Sequence, residues 1–172
     1  MSRPDSTPVE HRATAPPSIG CWVLTVSDTK TPETDTSGQL IKKLLTDAGH
    51  RVVGASIVRD EPKDVQRVIR EACAHDEVRA VLVTGGTGIT SRDSTYEAIE
   101  AMLDKRLPGF GELFRVLSFQ EIGAAAMMSR AQLGVHARRI VVSMPGSPNA
   151  CRLALDKLVI PELSHLIREV SR

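Results

Sequence analysis

Thr84-Gly85-Gly86-Thr87-Gly88 is the segment whose residue types are best suited to chemistry. Glycines let the backbone take positive φ and approach a ligand with no Cβ in the way. Consecutive N–H groups in such a loop form a nest for an anion, and Thr84 and Thr87 add hydroxyls. A phosphate group is the natural guest. The loop is not a Walker loop, because no Gly-Lys-Ser/Thr follows, and the Gly-x-Gly-x-x-Gly dinucleotide fingerprint is absent. A glycine-rich turn that only helps packing is the competing reading of this segment alone.

Three other polar stretches follow apolar runs: Ser27-Asp28, Arg59-Asp60, and Pro145-Gly146-Ser147-Pro148-Asn149. Asp28, Asp35, Asp60 and Asp93 supply carboxylates in and near these stretches, and several residues here also have plain structural roles. Asp93 is also suited to capping a helix, and Asp60 to fixing a turn before Pro62. Asp35 suits a helix cap first. Arg92 and Arg130 suit solvated charges or ion pairs. Met127-Met128 reads as core rather than ligand surface.

The elements that must position these residues follow from periodicity. Cys21 to Val26, Val52 to Val58, Ala80 to Val83 and Ile140 to Val142 read as buried strands. Asp35-Thr36-Ser37-Gly38 opens a helix that carries Leu40, Ile41, Leu44, Leu45 and Ala48, with Gly49 as its stop. A second helix presents Val65, Val68, Ile69, Ala72 and Cys73 on one face. Ser94 or Asp93 caps a third, with Ala98, Ile99, Met102 and Leu103 inward, and Pro108-Gly109 breaks it. Residues 110–131 read as helical pieces. A C-terminal helix follows, or two with a break near Pro161. Apolar strands alternating with amphipathic helices predict an α/β domain with a mainly parallel sheet. In such a sheet the four polar stretches meet at one edge, outside the strands' carboxyl ends, where ligands bind.

Composition narrows the function classes. The 172 residues carry a net charge of +1, and aromatics make up only 3% against 41% hydrophobic residues. The core must be aliphatic. Neither nucleic acid nor a membrane is an expected partner, for want of charge excess and of aromatic stacking platforms. No apolar run approaches the ~20 residues of a membrane helix, and the N-terminus lacks a signal-like apolar segment. Cytoplasm is the expected location. Cys21, Cys73 and Cys151 read as reduced thiols rather than a disulfide frame or zinc site. Residues 1–18, with Pro4, Pro8, Pro16 and Pro17, read as a flexible tail. Residues 19–172 read as a single domain.

The stretch Thr84 to Asp93, a TGGTG loop followed by Arg92-Asp93, resembles the signature of the MogA/MoaB family, which includes the molybdopterin adenylyltransferases. Ser27-Asp28 with Asp35 to Gly38, Asp60-Glu61, Leu107 to Phe110, Ser129-Arg130-Ala131 and Met144-Pro145-Gly146 match further elements in order. The resemblance spans about residues 20–170 and, through Phe114 to Gly123 and the Pro-Gly-Ser turn, is greatest to the B type. It implies an α/β three-layer sandwich with a mainly parallel, mixed sheet, assembled as a homotrimer or homohexamer. It also implies adenylylation of molybdopterin by ATP with release of pyrophosphate, with Mg²⁺ as cofactor. Asp60 and Asp93 then serve as catalytic and Mg²⁺-holding residues, with Asp28 and Asp35 as weaker candidates for holding the cation. Ser27, Asp28, Thr84, Gly85, Gly86, Thr87, Gly88, Ser129, Arg130, Pro145, Gly146 and Ser147 would bind substrate. Ser91 replaces a proline common before the Arg-Asp pair, and Ser147 stands where adenylyltransferases often have Asn. These departures keep a non-catalytic molybdopterin-binding scaffold as the alternative. A hydrolase on the same fold finds no supporting constellation.

Overall fold

The computed structural model describes residues 18–172. The tail expected over residues 1–18 lies, Ser18 aside, outside the described residues. The six strands are β1 (Gly20–Val26), β2 (Arg51–Val58), β3 (Ala80–Thr84), β4 (Lys105–Arg106), β5 (Gln132–His136) and β6 (Arg139–Met144). They form one sheet in the order β2-β1-β3-β6-β5-β4. β2, β1, β3 and β6 are parallel, whereas β5 and β4 add antiparallel. The sheet is mixed and mostly parallel, as expected.

Helices cover both faces, which makes three layers. On one face lie α1 (Thr36–Asp47), α4 (Pro108–Ile122), α5 (Pro148–Ala154) and α6 (Ile160–Ser171). Their core holds Ile41, Leu45, Phe114, Leu155 and Leu163 against Val23, Leu82 and Val142. On the other face lie α2 (Pro62–Ala74) and α3 (Thr95–Glu100). Val65, Ile69 and Ile99 pack there against Leu24, Val81, Val83 and Val141. The alternation along β1 and β3 sends successive side chains to opposite cores, which is why these strands read as uninterrupted apolar runs. Burial pushes the Cys21 thiol up to about 12 and the Cys73 thiol to about 11, so neither is a thiolate nucleophile near neutral pH.

Several expectations need correction. α3 ends at Glu100, although Met102 still turns inward. Pro108 does not break that helix. It opens α4 at the first helical position, after the short edge strand β4, where a missing N–H costs nothing. α4 is one continuous helix, followed by a 3₁₀ segment, Gly123–Met128. Met127 and Met128 are not core, being 80% and 54% exposed. The sequence reading also missed β5. At the C-terminus, Leu155–Val159 forms a π turn leading into α6. Proline cannot donate to the carbonyl four residues back, and its ring crowds that carbonyl. Widening the preceding turn accommodates Pro161 without a break.

Candidate functional site

The parallel strands deliver their polar followers to one edge, and hydrogen bonds join those loops. The Ser27 amide donates to the Val58 carbonyl at 2.8 Å. The Asp60 amide donates to Asp28 Oδ1 at 3.3 Å. Gly85 N reaches Met144 O at 3.1 Å, and Thr84 Oγ1 donates to Pro145 O at 3.1 Å. Residues 84–88 and 145–147 are therefore neighbours in one crevice. Ser37 at the start of α1 closes the floor by donating to Gly146 O at 2.7 Å.

The glycines of the loop are required by geometry. Gly85 has φ +97°, and a Cβ there would lie 2.2 Å from the Val26 carbonyl oxygen. Gly86 has φ +65°, and its Cβ would lie 2.1 Å from Thr95 Oγ1 and 2.5 Å from Asp60 Oδ2. The amides of Gly86 and Thr87 donate to no acceptor among the described residues. Neighbouring amides without a protein acceptor, in a loop that glycines carry through positive φ, are what an anion nest supplies.

Two carboxylates flank this loop. Asp60 is buried, and its Oδ1 takes hydrogen bonds from Ser94 N (3.2 Å), Ser94 Oγ (2.9 Å) and Thr95 Oγ1 (3.1 Å). Its Oδ2 faces Gly86. Asp93 packs over Gly88, where a Cβ would fall 2.5 Å from Oδ2. It does not cap α3. Its Oδ2 accepts from Thr90 N at 3.0 Å and from Thr90 Oγ1 at 2.6 Å. The Thr90 hydroxyl, helped by the Arg130 charge, holds the Asp93 carboxyl below the usual carboxylate range. Both groups are thus oriented through one oxygen, with the other oxygen less engaged. No cluster of three or more His, Cys, Asp or Glu side chains poised for a metal occurs among the described residues. The site fits a Mg²⁺ that keeps most of its waters and uses one or two carboxylates beside phosphate oxygens. It does not fit a closed protein cage.

The remaining expected residues divide. Asp35 caps α1, accepting from Gly38 N at 2.9 Å and from Thr25 Oγ1 at 2.6 Å. Ser27 Oγ ties the loop after β1 by accepting from the amides of Thr29 and Lys30. Ser147 caps α5 through Ala150 N at 3.2 Å. Arg130 is committed to the carbonyls of Thr87 and Gly88 and to Glu97, with Tyr96 beneath its guanidinium at 5.0 Å. It clamps the loop from behind. Among the described residues, Ser129 Oγ accepts only a long contact, from Ala131 N.

Beside the loop lies a small cavity of about 130 Å³, walled by Ser27, Ser37, Thr84, Gly85 and Gly146. Thr25, Lys30 and Asp35 also line a neighbouring cleft of about 480 Å³ over Ala55–Ile57 of β2. Lys30 and Lys42 line that cleft with no carboxylate partner among the described residues. The sequence reading missed both lysines, as well as Thr25, Ser37, Ser94 and Thr95. Ser94-Thr95 directly after Arg92-Asp93 was a readable signal for partners of a buried carboxylate. Lys42 carried none, because it looks like any helical surface lysine until β2 is placed beside it.

These observations define an α/β protein whose sheet edge carries a glycine loop flanked by two oriented carboxylates, with a small cavity beside the loop that Lys30 lines. A family profile described as a probable molybdopterin binding domain matches residues 22–165. "Molybdenum cofactor biosynthesis protein B" of Bacillus cereus is 49% identical over 164 residues, covering 95% of this chain and 97% of that protein. A crystal structure of molybdenum cofactor biosynthesis protein B superposes with a TM-score of 0.90 at 49% identity, covering 92% of this chain and 99% of the other. The tungsten cofactor synthesizing protein MoaB from Pyrococcus furiosus superposes with a TM-score of 0.81 at 37% identity, covering 92% and 100%. The chain belongs to the molybdopterin-binding-domain family of molybdenum cofactor biosynthesis, alongside its protein B members. No helix among the described residues is long and apolar enough to cross a membrane.

Proposed function

We propose that this protein binds molybdopterin and joins its phosphate to AMP from ATP, releasing pyrophosphate. The observation that carries this reading is the pair of amides at Gly86 and Thr87 with no protein acceptor among the described residues, in a loop with Asp60 beside Gly86 and Asp93 beside Gly88. An anionic phosphate is already a nucleophile, so the reaction needs positioning and charge neutralisation more than a general base. The pterin phosphate oxygen forms a bond to the α-phosphorus as the bond to the β-phosphate oxygen breaks. The loop amides bind and orient phosphate oxygens. Lys30 and Lys42 supply positive charge along the adjoining cleft. Thr84, locked to Pro145, and Ser37, locked to Gly146, keep the two walls in register. Mg²⁺, held by Asp60 and Asp93, would neutralise polyphosphate charge when bound. The cation, both substrates and a homotrimeric or homohexameric assembly are parts of this reading.

The test is pyrophosphate release from Mg-ATP in the presence of molybdopterin. Wild type should release it, and an Asp60→Ala, Asp93→Ala double variant should not. Equal release from both would remove the assignment. A second reading, a non-catalytic molybdopterin scaffold, is favoured by one feature. Ser147 spends its hydroxyl on capping α5 and offers the crevice no amide side chain. That reading expects pterin binding that survives both alanine substitutions, with no ATP consumed.

A further inference from the structure

Arg92, in the loop after β3 at the carboxyl edge of the sheet, uses all three nitrogens of its guanidinium. Nε and Nη2 form a fork onto Asp28, at 2.8 Å to Oδ2 and 2.9 Å to Oδ1, while Nη1 donates to Glu61 Oε1 at 2.7 Å. One side chain from the loop after β3 thus binds the loops after β1 and β2. All three side chains are substantially exposed, so the bridge adds little to folding. Its consequence is electrostatic. Asp28, Asp60, Glu61 and Asp93 crowd the same edge that is to receive phosphates. Arg130 is occupied by loop carbonyls and Glu97, and Arg59 acts on Asp28 only through space.

We propose that Arg92 is a positioning residue that cancels the acidic charge of Asp28 and Glu61 at this edge of the sheet, and so sets the affinity for a polyanionic nucleotide. The inference rests on the nucleotide reading above. Without Arg92 two carboxylates would face the incoming polyphosphate uncompensated, and like charges at a binding rim oppose association.

The experiment titrates wild type and variants with Mg-ATP and, as a second probe, inorganic pyrophosphate, at low and high salt. Arg92→Gln should weaken both by about tenfold at low salt, the scale of one rim charge. The defect should shrink at high salt, where exposed charges are screened. Arg92→Lys should stay near wild type. The double variant Arg92→Gln, Glu61→Gln should recover most of the loss, because removing one carboxylate does the work of the missing cation. Unchanged binding by Arg92→Gln would overturn the inference. So would a loss that persists at high salt and is not recovered in the double variant, which is the mark of a mechanical strap. Wild type that binds neither probe would overturn this inference and the nucleotide reading together. Binding without turnover would remove adenylylation alone and leave the role of Arg92 standing.

Discussion

Gly85 and Gly109 separate glycines that geometry requires from those it does not. Alanine at 85 must hold φ near +97° with its Cβ against a backbone oxygen that cannot move aside. We expect Gly85→Ala to cost about 2 kcal/mol or more of stability in urea unfolding, along with loss of anion binding. At Gly109, the second residue of α4, nothing lies within 4 Å of a Cβ. Gly109→Ala should be neutral or stabilising by up to ~1 kcal/mol. Equal unfolding midpoints for the two variants would contradict the argument. Asp60 supplies a sharper residue-scale case. Asn in its place keeps an oxygen to accept from Ser94 and Thr95 but turns an amide group, not a carboxylate oxygen, toward Gly86. Asp60→Asn should therefore fold with a midpoint near wild type while pyrophosphate release falls by roughly 10²-fold. A variant that unfolds readily would show that Asp60 is mainly structural.

Between elements, the buried His50 side chain joins the end of α1 to the start of β1, since its Nδ1 accepts the Ile19 amide at 3.3 Å. Burial lowers its pKa below the ordinary 6.5. The folded state therefore holds a neutral imidazole, and on acidification protons bind the unfolded chain first. This contribution to stability is present above about pH 6.5 and is lost as pH falls through the lowered folded value. The urea midpoint should drop between about pH 7.5 and 5.5, and His50→Asn, which keeps an acceptor but cannot titrate there, should flatten that drop. An unchanged slope in the variant would assign the pH dependence elsewhere. Contacts of this kind also mark what was legible in the sequence. β1, β3 and β6 are buried on both faces, so their residues could only be apolar, and their polar followers stood out. From parallel pairing alone the meeting of four loops followed. β4 and β5 were not legible, because a two-residue edge strand and the weakly patterned Gln132–His136 carry no period. Their pairing is decided by the β5–β6 turn, where Ala137 and Arg138 take positive φ without a glycine to announce it. At the site, Asp60 and the glycine loop were legible by type. The partners that fix Asp60, and the capture of Arg130 by loop carbonyls, depend on contacts 34 to 43 residues apart in sequence.

For the whole molecule, the unexplained feature is an apolar face on α4 and the 3₁₀ segment. Leu113, Val116, Phe119, Ile122, Met127 and Met128 are each more than half exposed, and a groove of about 520 Å³ runs between Phe119 and Met127. Single soluble subunits rarely leave so many large apolar side chains together in water. A closed homo-oligomer would bury them against copies of the same face or its neighbour. That burial would reach the crevice through the chain itself. The 3₁₀ segment leads directly into Ser129 and Arg130, Arg115 Nη1 touches the Ser129 carbonyl at 3.5 Å, and Arg130 grips the carbonyls of Thr87 and Gly88. Burial of the face would therefore act on the segment that carries the clamp on the glycine loop. Light scattering should give wild type a mass at a small multiple of the 18.7 kDa chain. Val116→Glu with Phe119→Glu should shift it toward the single chain, since each introduced charge would be stranded in an apolar contact. The dissociated variant should also bind pyrophosphate more weakly, although neither substitution lies near the crevice loops. A wild-type monomer at all concentrations would remove the assembly. Dissociation with unchanged anion binding would show that the clamp holds without it.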